Sequence, residues 1–171
     1  MPISMYQASV PVLSHGLTTL AAILRKGEAH AQETGVDPAS LVEMRLAPDM
    51  LPLAGQVQRA SDTSKLALER LTGRPSPKME DNEKTFADLY ARIDKTKAFI
   101  DSFDEAALEG CDSKTVELKV RQGAMTFTGA SYLLTFALPN FFFHLTTAYD
   151  ILRHKGVPLG KMDYLLSLIH I

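Results

Sequence analysis

The chain has 171 residues, 46% of them apolar and 22% charged, with 18 basic and 20 acidic side chains and a net charge of −2. That size suits one domain around one core, and the interspersed charge leaves no basic patch or tail for nucleic acid. The single cysteine, Cys111, excludes an internal disulfide and a cysteine-based zinc cluster.

The first residues carry no positive charge ahead of an apolar segment, so no signal peptide is expected. No uncharged apolar run reaches the ~20 residues of a membrane span. The expectation is a cytoplasmic protein that uses neither membrane nor nucleic acid. Cys111 has no neighbouring pattern of an activated nucleophile and reads as a lone thiol in a loop.

Ser4 and Gln7 form a capping box that opens the first long helix. Tyr6, Val10, Leu13, Leu17, Leu20 and Leu24 recur at steps of three and four, the stripe of a helix with one buried face. Pro11 should kink it slightly, and it should end near His30, before Gly35. His15 lies about 200° round the helix from Leu13 and is expected at the surface. Asp37 and Pro38 then cap a short helix.

The second long helix begins around Ala47–Leu51, with Asp49 as its expected cap. Its inner stripe is Leu53, Val57, Ala60, Ser64, Ala67, Leu68 and Leu71, and Gly73 ends it. The acidic run Asp81–Glu83 reads as N-terminal capping of the third helix. Thr85 and Asp88 open that helix, and Phe86, Leu89, Ile93 and Ile100 form its stripe.

From Thr115 to Thr128 the period changes to two, and a turn glycine sits in the middle, which predicts a β-hairpin lying against the helices. A fourth long helix runs from about Gly129 to His154 and stops at Gly156. The class is therefore all-α: an antiparallel four-helix bundle with a small hairpin between the third and fourth helices. The expected domain covers residues 1–163, and residues 164–171 read as an apolar tail that need not be native.

The fourth helix holds the chemistry. His144 and His154 are ten residues apart, roughly 15 Å along the axis, too far to chelate one ion. His154 instead suits the negative end of the helix dipole. Asn140 and His144 are i, i+4 on the face that also carries Leu133, Ala137, Thr147, Ala148 and Ile151, so both should look inward. Pro139 leaves the carbonyl of Thr135 without its usual donor. Carbonyl, amide and imidazole would then meet in the core, as a register-fixing polar network, a ligand pocket or a poor metal site. Phe141, Phe142 and Phe143 point in three directions, so one is hard to bury in a monomer. This points to a homodimer through the fourth helix.

The late helix with a ligand pair at i, i+4 and a glycine twelve residues beyond the second, Gly156 after His144, resembles the DinB/YfiT-like superfamily. The stretches ISMYQASVPV, RLAPDMLPLAGQVQRASDTSK, TFADLYARI and LPNFFFHLTTAYDILRHKGV look like a bacterial family of unknown function within it, over the chain up to about Asp163. The resemblance implies a four-helix bundle. In that superfamily a divalent metal, such as zinc or nickel, is often held by three histidines. Here Asn140 and His144 would occupy two ligand places and Gln56 or Asp49 the third.

One intact histidine implies a degenerate metal site with no resident cofactor. The expected ligand-binding residues are Gln56, Asn140 and His144, with Asp49, Asn140 and His144 as weak metal candidates. The first functional expectation is a small-molecule-binding or structural protein. The alternative is a metal-dependent enzyme, a thiol-dependent transferase or hydrolase, using His144 as ligand or general base.

Overall fold

The computed structural model describes residues 3–120 and 123–165. Four long helices dominate it: α1 (Met5–Thr34), α3 (Leu53–Thr72), α4 (Phe86–Ile100) and α6 (Leu138–His154). Between them lie the short α2 (Pro38–Val42), a 3-10 turn (Ala106–Leu108), the strands β1 (Thr115–Val120) and β2 (Gly123–Thr128), and α5 (Gly129–Tyr132). The last element among the described residues is α7 (Lys161–Leu165). The fold is mostly helical with one small two-stranded sheet.

The helix starts follow local chemistry. Ser4 accepts from the Gln7 amide while the Gln7 side chain accepts from the Ser4 amide, and Thr85 with Asp88 repeats the arrangement. Asp37 caps Pro38–Val42. Asp49 does not cap α3. It is exposed in the turn before, and Pro52 is the N-cap without any side-chain bond. The first amide of α3, on Leu53, donates instead to the carbonyl of Met44 at 2.7 Å. That backbone contact satisfies the orphan donor a side chain would otherwise serve. α1 runs on past His30 to Thr34 before Gly35 closes it in the left-handed region.

Each predicted stripe is buried: Leu13, Leu17, Leu20 and Leu24 of α1, Val57, Leu68 and Leu71 of α3, Leu89, Ile93 and Ile100 of α4, and Leu145, Ala148 and Ile151 of α6. They join one cluster. Val116 of β1 belongs to it, Leu118 on the same face is buried, and Phe127 of β2 meets the rings of Tyr132 and Phe136. Glu117 faces Thr126 across this antiparallel hairpin. Most of its turn lies outside the described residues.

The helix directions correct the expected antiparallel arrangement. On α1 and α6, Gly16 meets Phe141 and Gly27 meets Leu152, so the two helices run the same way. α3 and α4 are also parallel: Asp62 pairs with Arg92 near the middle of each, and Arg74, just beyond α3, lies over Phe99 and Phe103 at the end of α4. Only opposed pairs such as α3 and α6 follow the expectation, with Gln56 against His144 and Thr63 against Asn140. The parallel α3–α4 pair requires the connection to run back the length of α3. It does so through Pro77 on Lys65, Met79 beside Ser61 and Glu83 on Gln58.

That returning strand is tied by charge. Arg92, only 4% exposed, bonds Asp62 and Glu83 at 2.8 Å each and the Glu80 carbonyl at 3.1 Å. Arg59 pairs with Asp62 and Asp81, and Lys65 with Asp62 and the Pro77 carbonyl. Burial alone would weaken proton binding by Arg92, but its bond to Glu83 and the charges of Asp62, Glu83 and Asp81 more than offset this. The run Asp81–Glu83 therefore serves the arginines rather than the start of α4, where Thr85 and Asp88 do the capping.

α5, the turn Leu133–Ala137 and α6 form one continuous helical path with a π turn in the middle. The amide of Leu138 reaches the carbonyl of Leu133, five residues back. In a regular helix the ring of Pro139 would crowd the carbonyl of Thr135. The wide turn supplies the slack that lets the helix continue. Thr135 and Pro139 are both exposed, so this backbone irregularity does not join Asn140 and His144 in the core.

Two glycines set close approaches. At Gly129 an added Cβ would land on the carbonyl of Cys111, a backbone atom that cannot step aside. At Gly16 it would come within 2.7 Å of Cζ of Phe141, whose ring is fully buried. Gly16→Ala is therefore expected to cost about 1–3 kcal/mol by overpacking. Urea denaturation should show a lower midpoint with an unchanged slope. An unchanged midpoint would mean that the Phe141 ring can move aside.

Candidate functional site

The expected trio is brought to one seam, between α3 and α6, but as two pairs rather than one cluster. Gln56, in the first turn of α3 and 2% exposed, meets Nδ1 of His144 through Oε1 at 2.8 Å. Asn140 donates through Nδ2 to Oγ1 of Thr63 at 2.8 Å. Asp49 stands apart, exposed in the turn before α3.

The Gln56 contact fixes the state of the imidazole. Nε2 of Gln56 donates to the carbonyl of Leu51 at 3.1 Å. A backbone carbonyl only accepts, so the amide nitrogen must point there and the amide oxygen must face His144. An oxygen only accepts too, so Nδ1 of His144 carries the proton. Nε2 is then left with its lone pair. It makes no hydrogen bond within the protein and is not sealed from solvent. Burial, and after it the charge of Arg59, lowers the proton affinity of His144 below the usual imidazole value, so the neutral ring is favoured.

Arg59 is the contributor that sequence reasoning missed. It stands nearly one turn beyond Gln56 on α3 and is held by Asp62 and Asp81. Its spacing from Gln56 was a signal, but only with the helix face already known. One exposed apolar side chain flanks the imidazole: Phe143, 57% exposed, with its ring edge-on to His144 at 5.2 Å between centroids. Leu51, whose carbonyl anchors the relay, is exposed as well. Of the three phenylalanines, Phe141 is buried, Phe142 partly so, and Phe143 is the one left outside.

The residues do not fit a divalent metal. The amide groups of Gln56 are turned to His144 and Leu51, and Asn140 is turned to Thr63. Among the described residues no group of three or more His, Cys, Asp or Glu could hold an ion. One imidazole with carboxamides is a poor shell for zinc or nickel. Elsewhere, His154 is exposed in the last turn of α6. Cys111 is buried, bonds the Leu71 carbonyl, and has its thiol pushed up by burial. The helix Met5–Thr34 is long and apolar enough by composition to cross a membrane, but 61% of its apolar 18-residue window is buried inside the fold, as in a core helix.

The relay predicts an observable tautomer. Nitrogen-15 spectra of the His144 ring near neutral pH should show a protonated Nδ1 and a bare Nε2. Gln56→Leu should release that preference and cost about 1–3 kcal/mol for the unpaired donor it leaves. A wild-type spectrum with protonated Nε2 would refute the assignment.

Comparison with known proteins agrees with this architecture. The family model described as Domain of unknown function (DUF1993) matches residues 5–165. A crystal structure described as a DinB family member protein from Shewanella denitrificans is 40% identical over 94% of this chain and 91% of that one, with a TM-score of 0.89. No curated protein matches significantly. A family match over nearly the whole chain, with a relative of that identity and coverage, places the protein in the DUF1993 family of DinB-like domains of unknown function.

Proposed function

We propose that this protein is a small-molecule-binding member of its family, with His144 as the recognition point. The observation that carries the proposal is the relay from the Leu51 carbonyl through Gln56 to Nδ1 of His144. It turns an otherwise ambiguous imidazole into a fixed acceptor at Nε2. Phe143 supplies exposed apolar contact beside the ring. A ligand suited to this site offers one N–H or O–H donor to Nε2 and an apolar body to Phe143. The four long helices, taken as a four-helix bundle, are the rigid frame, and Asn140 with Thr63 holds the seam in register. The lone thiol Cys111 suits a reducing compartment such as the cytoplasm.

The second reading is an enzyme. A neutral imidazole with a lowered proton affinity and an outward lone pair is chemically suited to act as a general base. In the metal-dependent form of that reading, the protein would need ligands beyond those at the seam. Elemental analysis of protein purified without chelator or affinity metal separates the two. The expected result is sub-stoichiometric zinc, nickel and manganese in both wild type and His144→Ala. Small N–H and O–H compounds should still shift the His144 ring resonances. Near-stoichiometric metal that disappears in the variant would overturn the binding-protein reading and favour the enzyme.

The exposed ring of Phe143 on α6 also supports the homodimer. Light scattering after gel filtration should give twice the chain mass for the wild type and the monomer mass for Phe143→Ser. A monomeric wild type would end that reading.

A further inference from the structure

A second site lies on the other side of α6. A cleft of about 720 Å³ opens between α1, α6 and α7, with Val12, His15 and Thr18 on one wall and Phe142, Leu145 and Tyr164 on the other. Phe142 and His144 are two residues apart, about 200° round the helix, so the cleft is separate from the α3–α6 seam. His15 was expected at the surface. It is instead half-buried, because α6 and α7 cover the flank of α1 that the apolar stripe alone leaves open.

The lining defines the chemistry of an occupant. Among the described residues, none that lines the cleft is Asp, Glu, Lys or Arg. A charged ligand would therefore lose hydration with no opposite charge to replace it. The volume lies in the range of small-molecule pockets, which pair apolar walls with a few polar groups. His15 is the polar group with both a donor and an acceptor nitrogen, and one of these lies 3.4 Å from the Thr19 hydroxyl. Burial lowers its proton affinity, so it enters as a neutral ring. We infer that this cleft binds an uncharged, largely apolar small molecule whose single hydrogen-bonding group meets His15.

N-phenyl-1-naphthylamine, a neutral fluorescent compound with one N–H, is the probe. Titrated into the full chain, it should give a saturable, one-to-one rise in emission. 1-Anilinonaphthalene-8-sulfonate, of similar shape but anionic, should bind at least tenfold more weakly. Val12→Trp should fill the cleft and weaken the neutral probe at least tenfold. Thr18→Trp, at an exposed position that tolerates substitution, should do the same if the first variant folds poorly. His15→Leu should weaken binding several-fold, and His144→Ala should leave it unchanged. The inference is overturned by the absence of saturable binding, by equal binding of the anion, or by indifference to both tryptophan variants. Indifference to His15→Leu removes the assigned polar contact and overturns it equally. A chain ending at Leu165 should bind as the full chain does. Binding by the shortened chain alone would overturn the inference and assign the cleft to residues 166–171 instead.

Discussion

The seam between α3 and the continuous path of α5 and α6 is tied by three side-chain hydrogen bonds: Gln56 to His144 and Thr63 to Asn140 on α6, and Arg70 to Tyr132 at the end of α5. Their spacing on α3 is heptad-like, so they recur along one edge of that helix. Each costs desolvation and returns a modest net energy, about 1 kcal/mol for a neutral pair. Their larger effect is on register. A slide of one helix past the other by one turn would leave all three sets of polar groups unpaired in a half-buried place. The apolar residues beneath them, Leu68, Leu71, Ala148 and Ile151, would accept such a slide far more readily. Site and scaffold are thus held by the same bonds, and the fixed orientation of His144 follows from the seam.

The ionic tie around Arg92 does for α4 what the seam does for α6. A buried arginine is weak grounds for stability, because desolvation consumes most of what its partners return. Its value here is topological. The segment between α3 and α4 contributes few apolar side chains, yet it must lie flat along α3 for the two helices to run parallel. Asp81, Glu83 and the carbonyls of Pro77 and Glu80 give it fixed points on Arg59, Lys65 and Arg92. Removing any one acid would leave a buried cation short of a partner.

What the sequence announced and what it concealed divide along the range of the interactions involved. Ser4 with Gln7, Thr85 with Asp88, Asp37 with Pro38, and Gly35 and Gly73 act within a few residues, and each appears in the structure where the sequence put it. The stripes are legible for the same reason, as is the DinB-like membership. The pairing of Gln56 with His144 was anticipated because both fall on inward faces. The direction of α4 was hidden, since Asp62, Lys65 and Arg92 look like solvated surface until the returning segment covers them. Asp49 misled because a backbone carbonyl, invisible to sequence patterns, takes the role of a cap. His15 misled because its cover comes from α6 and α7, far along the chain.

The π turn at Leu133–Ala137 has a consequence for how this helix tolerates change in length. A π turn is one residue accommodated in a helix without a matching step of advance in its hydrogen-bond ladder. It acts as a stored insertion. Losing a single residue there would relax the path to an ordinary helix and turn everything before it by about 100° relative to α6. Tyr132 would swing away from Arg70, and the hairpin that leads into α5 would be carried with it. Gly129, pressed against the Cys111 carbonyl, leaves no room for that rotation. The two ends of the path are thus pinned at different angles, and the wide turn is the coupling that reconciles them.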